Sequence, residues 1–168
     1  MKDSKTIFLL VEDDDNDAYL MQRLFTDKSM PTHIKLVRVQ DGLEAKEYVE
    51  GSGKYRDRED YPPPDVILLD LKLPRWSGFQ FLEWLRKEGN GQHLLPVIVL
   101  TSSAEPEDVQ RAYHLGVNCY LVKPVDWREL QTRIRTLGMF WGSYVEKPVP
   151  VIQRVKELLP TSRSFARV

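Results

Sequence analysis

Glu12 and Asp13 follow directly on the apolar run Ile7-Phe8-Leu9-Leu10-Val11, and Asp70 closes the run Val66-Ile67-Leu68-Leu69. Thr101 ends Val97-Ile98-Val99-Leu100, and Lys123 follows Cys119-Tyr120-Leu121-Val122. Every one of these chemically able side chains stands at the end of a short hydrophobic segment. Three acids, a hydroxyl and an ammonium make a site only if the fold gathers those ends. Crowded carboxylates repel one another, and a positive charge beside them favours their ionised form. The neighbouring Asp14, Asp15 and Asp17 read as a solvated stretch or a helix cap. His33, His93 and His114 lack the spacing of a triad or a metal set and read as surface or helix-end residues. Cys119, the only cysteine, cannot form an internal disulfide or a multi-cysteine metal site and reads as a small buried hydrophobe.

The segments that must position these groups alternate between two periods. The runs Thr6 to Val11, Ile34 to Val39, Val66 to Asp70, Val97 to Thr101 and Cys119 to Lys123 predict strands, and three of them are continuously apolar, as strands covered on both faces are. Between them Leu20, Met21, Leu24 and Phe25 fall at helical spacing, as do Phe81, Leu82 and Leu85, and Val109, Ala112 and Tyr113, all expected to face the core. Pro106 suits the first turn of the fourth helix. Asp126 is the expected N-cap of a last helix carrying Trp127, Leu130, Ile134, Leu137 and Trp141. Gly51 to Pro64, with its glycines, charges and three consecutive prolines, predicts a peripheral loop. Five βα units give an α/β fold, a doubly wound five-stranded parallel sheet, for which right-handed crossovers leave few strand orders; 2-1-3-4-5 is a common one. That order puts Glu12, Asp13 and Asp70 at its switch point, where ligands bind.

The composition excludes several functions. With 42% hydrophobic and 29% charged residues the chain has ordinary globular character, and 168 residues correspond to about one domain at roughly 150 residues each. A net charge of −1 gives no footprint for nucleic acid or an anionic membrane surface. No run approaches the ~18 apolar residues of a membrane span, and Met1-Lys2-Asp3-Ser4-Lys5 does not begin a secretory signal. The expected location is the cytoplasm.

Taken in order, Leu10-Val11-Glu12-Asp13-Asp14, Asp70-Leu71-Lys72-Leu73-Pro74 with Gly78, Thr101-Ser102-Ser103, and Tyr120-Leu121-Val122-Lys123-Pro124 resemble the motifs of a response-regulator receiver domain (CheY-like, with a flavodoxin-like fold). The match spans about residues 5 to 141, and it also supports the strand order, which is therefore not independent of it. The resemblance implies a phosphoacceptor signalling domain rather than an enzyme acting on a separate substrate. Asp70 would attack the phosphohistidine of a sensor histidine kinase and carry the phosphoryl group as an acyl phosphate. Crowded carboxylates with oxygen-only donors call for Mg²⁺, held by Asp13, Asp70 and the Lys72 carbonyl, with Glu12 acting through water. Lys123 would hold a phosphoryl oxygen, and Pro124 resembles the family's cis-linked proline. Thr101 resembles the hydroxyl that bonds the phosphoryl group, and Tyr120 the aromatic that turns inward afterwards. Lys72 and Ser103 occupy positions that flank the route of attacking water.

The expected division is a receiver at 5–142 and a C-terminal extension at 143–168. Only 27 residues follow Trp141, fewer than the roughly 50 of an output domain, so the expectation is a stand-alone receiver with output by protein–protein interaction. Met139-Phe140-Trp141 and Tyr144-Val145 crowd apolar groups at the end of the last helix, and beyond Lys147-Pro148-Val149-Pro150 the residues Ile152, Val155, Leu158 and Leu159 predict a short amphipathic helix. This ending is similar to that of small receivers that partner phytochrome-type kinases and form homodimers through the last helix. A haloacid-dehalogenase-type phosphatase uses similar groups, but its order differs: it needs an Asp-x-Asp on its first strand and later acids, whereas Asp70-Leu71-Lys72 lacks the second Asp. A degenerate receiver that signals without phosphorylation usually lacks a key residue, and here every position is filled.

Overall fold

The computed structural model describes residues 5–89 and 94–145; His93 and the tail positions from Lys147 to Leu159 lie outside these. The elements run β1 (Thr6–Val11), α1 (Asp15–Phe25), β2 (Ile34–Val39), α2 (Gly42–Glu50), β3 (Val66–Leu69), α3 (Gly78–Glu88), β4 (Val97–Thr101), α4 (Pro106–His114), β5 (Cys119–Val122) and α5 (Trp127–Met139). All neighbouring strand pairs are parallel, in the order β2-β1-β3-β4-β5. β3 and β5 each stop one residue before the expected end, leaving Asp70 and Lys123 just past their strands. No helix among the described residues is long and apolar enough to cross a membrane.

Alternation along each strand divides the core between the two sheet faces. Leu9, Val11, Ile67, Leu69, Val97 and Val99 meet α2, α3 and α4, while Phe8, Leu10, Val66, Leu68, Ile98 and Leu100 meet α1 and α5. Burial on both sides is the physical reason the central strands are apolar without interruption. Helix ends are fixed locally. Asp14 accepts from the backbone N–H groups of Asn16 and Asp17, Asp41 from those of Leu43 and Glu44, and Asp126 from those of Arg128 and Glu129, while Ser77 and Gln80 form a reciprocal capping box on α3. Pro106 opens α4 as expected.

Two expectations need correction. Tyr113 is 51% exposed, because only Ala112 of its stripe is buried on the short α4. The segment Gly51 to Pro64 is not peripheral: Tyr55 is buried, and its ring meets those of Tyr48 and Tyr61 edge-on at centroid distances of 4.9 and 5.1 Å. Arg58 donates to the carbonyls of Tyr48, Val49 and Tyr61, covering the carbonyl end of α2 with a charge of the favourable sign.

The loop after β3 is held at two points. A Cβ at Gly78 would collide with the Asp70 carbonyl oxygen and the Leu71 Cα, so only glycine lets α3 start this close to the strand end. Arg75 sits in the left-handed region at φ 58°, a conformation that costs a non-glycine residue energy; its guanidinium is ion-paired with the buried Asp41, and the Trp76 carbonyl accepts from Gly42 N–H at 3.1 Å. These bonds tie the segment carrying Asp70 to the start of α2.

Candidate functional site

At the carboxyl edge of the sheet the Lys123 ammonium is bonded to three carboxylates, at 2.6 Å to Glu12 Oε2, 2.7 Å to Asp17 Oδ2 and 3.0 Å to Asp70 Oδ2. β1, β3 and β5 and the first turn of α1 thus each supply one charge. The lysine is delivered there by its own backbone, since its N–H donates to the Thr101 carbonyl at 2.7 Å. Glu12 is 2% exposed, and its Oε1 accepts from Asp14 N–H at 3.2 Å; Asp70 Oδ1 accepts from Lys72 N–H at 3.1 Å. A cavity of about 200 Å³ opens beside this cluster, lined by Asp17, Leu20 and Met21 of α1 together with Lys123 and Leu130.

Burial pushes the Glu12 carboxyl above its ordinary range; the bond to Lys123 opposes that shift, and the Asp70 charge adds to it. For Lys123, burial acts to lower the ammonium pKa, but the bonds to Asp17 and Glu12 and the charge of Asp70 outweigh it and raise it. The two partners therefore shift in ways that do not mirror each other. One ammonium shared among three acids is fully compensated, whereas no single acid is.

The expected residues are gathered unequally. Glu12, Asp70 and Lys123 converge. Thr101 is fully buried at the end of β4, and its Oγ1 accepts from Ser103 N–H at 3.4 Å. Tyr120 is half-buried, with its hydroxyl donating to the Ser103 carbonyl at 3.0 Å. Asp13 is exposed, and its carboxylate makes no ion pair among the described residues; Lys72 is exposed as well. Among the described residues no three His, Cys, Asp or Glu side chains stand as a ready cation cluster, and the Lys123 ammonium is bonded to both Glu12 and Asp70. Ser103 is buried, and its hydroxyl donates to Asp108 on α4 at 2.6 Å. No described peptide bond is cis, so the Lys123–Pro124 bond is trans, the isomer that X–Pro bonds favour by about 0.5–1 kcal/mol.

Two residues of the site escaped the motif reading. Asp17, expected in a solvated stretch or a helix cap, is a direct partner of Lys123. The signal was its position three and four residues before Leu20 and Met21, on the core-facing stripe of α1. Arg38, read only as part of a strand, donates from Nε to the Glu12 carbonyl at 3.0 Å and from its terminal nitrogen to the Asp13 carbonyl at 2.9 Å. Arg38 shares its short strand with a second basic residue, Lys35, and nothing in that local pattern signals where its fork reaches.

Comparison with known proteins places this geometry. A family model described as the response regulator receiver domain matches residues 8–135. Response regulator Rcp1 of Synechocystis sp. is 34% identical over 142 residues, covering 84% of this chain and 92% of the relative. Among solved structures, the phosphorylated cyanobacterial phytochrome response regulator RcpA superposes with a TM-score of 0.78 at 31% identity, over 86% of this chain and 99% of its own. The Mn²⁺-bound form of response regulator Rcp1 gives 0.75 at 33% identity, over 86% and 99%.

The charge balance of the cluster predicts a pH signature. Glu12 is raised in the folded state, so its unfavourable contribution is absent where it is protonated in both states and grows as pH rises from about its ordinary 4.5 through the raised value. Removing the ammonium enlarges that contribution. Lys123→Met is expected to lose about 3–5 kcal/mol near neutral pH, with most of the loss disappearing in acid. Urea unfolding across this range measures the difference, and a loss independent of pH contradicts the assignment.

Proposed function

The chain belongs to the response regulator receiver domain family, whose members accept a phosphoryl group on an aspartate in two-component signalling, and from that membership we propose that Asp70 is the accepting residue. The observation that carries the reading is the Lys123 ammonium 3.0 Å from Asp70 Oδ2, in a pocket with more carboxylate than ammonium charge. An Asp70 carboxylate oxygen attacks phosphorus and the P–N bond of a phosphohistidine breaks. Its electron pair returns to the imidazole, which takes up a proton, and an acyl phosphate remains on Asp70. Lys123 neutralises one phosphoryl oxygen as a point charge, and the Thr101 hydroxyl, at the end of the neighbouring strand, donates to another.

The donor set suits a hard divalent cation. Glu12, Asp13, Asp70 and the Lys72 carbonyl offer oxygen alone, and three acids around one ammonium leave negative charge to be balanced; Mg²⁺ is the ion proposed, and the Mn²⁺-bound relative supports a divalent site. When bound, the cation neutralises charge on the transferring oxygens. The residues act around it: Lys123 exchanges carboxylate partners for the phosphoryl oxygen, and Glu12 and Asp17 are released from it. Thr101 and Tyr120 are the proposed switch. Both bond to Ser103, one through its N–H and the other through its carbonyl, so a hydroxyl drawn toward a phosphoryl group alters the contacts that hold the aromatic.

The partner is a sensor histidine kinase, of phytochrome type by the similarity to the phytochrome response regulator RcpA. The receiver spans 5–142 and an extension follows at 143–168. Output is by protein–protein contact. Met139, Phe140 and Tyr144 at the end of α5 are 37%, 51% and 72% exposed, which supports a homodimer through the last helix and the tail.

Two experiments test these readings. A small-molecule phosphodonor with Mg²⁺ is expected to label the wild type and leave Asp70→Asn unlabelled; equal labelling of both rejects the site. Sedimentation at high concentration is expected to show a dimer with or without an acyl-phosphate mimic, and a monomer in both states rejects the α5 interface.

A further inference from the structure

Arg38 lies on the edge strand β2, where it pairs in register with Leu10 of β1, and its side chain is 19% exposed. Its guanidinium makes three separate contacts with the segment after β1. Nε donates to the Glu12 carbonyl at 3.0 Å, one terminal nitrogen donates to the Asp13 carbonyl at 2.9 Å, and the other pairs with Asp15 Oδ1 at 2.8 Å. The two carbonyls belong to the two peptide planes that flank the Asp13 Cα. A planar peptide fixed on each side of a Cα fixes φ and ψ there, and with them the direction of the Cα–Cβ bond. Asp13 needs such support. Its carboxylate has no ion pair among the described residues, whereas Glu12 is locked by Lys123 and Asp14.

We infer that Arg38 is a positioning residue of the acid pair: it sets the backbone from which Asp13 and Glu12 reach a divalent cation, without touching the cation or the phosphoryl group. The inference rests on the reading of Glu12 and Asp13 as cation ligands. A guanidinium serves here because its rigid fork reaches two carbonyls and a carboxylate at once, which a lysine ammonium on a flexible stem does not reproduce. The position also makes the inference sharp in sign. Arg38 carries a positive charge beside a cation site, so acting through charge alone it would weaken cation binding, and its removal would tighten it. Acting through position, its removal weakens binding despite the lost repulsion.

The test is titration of the full chain with Mn²⁺, following the free ion by electron paramagnetic resonance, for wild type, Arg38→Met and Arg38→Lys. Removing an outer partner of a metal ligand typically weakens affinity about 10–100-fold, so Arg38→Met is expected to bind Mn²⁺ at least about tenfold more weakly, and Arg38→Lys, which keeps the charge and loses the fork, is expected to be weakened as well. Unchanged or tighter binding by Arg38→Met overturns the inference. Amide hydrogen exchange of residues 12–16 without any cation supplies a second arm: faster exchange in both variants is expected, and wild-type protection in Arg38→Met overturns the inference even where thermal unfolding shows the variant folded. If wild type itself binds no Mn²⁺, the cation reading of the acid pair fails, and the exchange arm alone decides whether Arg38 holds the segment.

Discussion

One ammonium among three carboxylates sets the terms for this molecule. Lys123 is bonded at once to Glu12, Asp17 and Asp70, residues brought together from two other strand ends and the first helix, and the charges it gathers would repel one another without it. The buried side of the arrangement is dictated by the sheet: β1, β3 and β4 are sealed between helices on both faces, so the first polar groups able to meet are those just past the strands. The outward side is left with unbalanced negative charge. That imbalance suits a site that takes up a divalent cation and then a phosphoryl group, because each arrival changes the balance Lys123 was holding.

Around this cluster the loops are held both through backbone carbonyls and through side-chain ion pairs. Arg38 grips the Glu12 and Asp13 carbonyls, and the Arg75–Asp41 pair with the Trp76-to-Gly42 bond ties the loop after β3 to α2. On the far side Ser103 connects three parts of the expected response: its N–H reaches Thr101, its carbonyl accepts from Tyr120, and its hydroxyl bonds Asp108 in the first turn of α4. A change at Thr101 therefore has a short bonded route to α4. The exposed aromatic end of α5 is anchored separately, by His33 Nε2 bonded to the Gly142 carbonyl at 2.9 Å and by Gly138 lying against Met30.

Much of this was legible in the residues. Strand runs such as Ile7 to Val11 showed their double-sided burial directly as unbroken hydrophobicity, and Glu12, Asp70, Thr101 and Lys123 stood out because polar groups ending apolar runs must lie at the sheet edge. What remained hidden depends on distances between segments far apart in sequence. Asp17 looked like one more solvated acid until α1 turned it toward Lys123, and the reach of Arg38 across to the next loop has no local pattern. Tyr113 and the Gly51 to Pro64 segment failed for the opposite reason. Helical spacing placed Tyr113 inward although α4 is too short and exposed to bury it, and the proline and glycine content of the loop concealed Tyr55, whose burial arises from rings on α2 and beyond.

The central claim concerns which carboxylate carries the phosphoryl group, and it is tested most directly by chemical trapping. Borohydride reduces an acyl phosphate to the alcohol, converting a phosphorylated aspartate to homoserine at that position alone. After phosphorylation and reduction, mass-spectrometric mapping is predicted to find homoserine at position 70, with aspartate intact at 13 and 17. Homoserine at either of those positions with Asp70 unmodified would contradict the account.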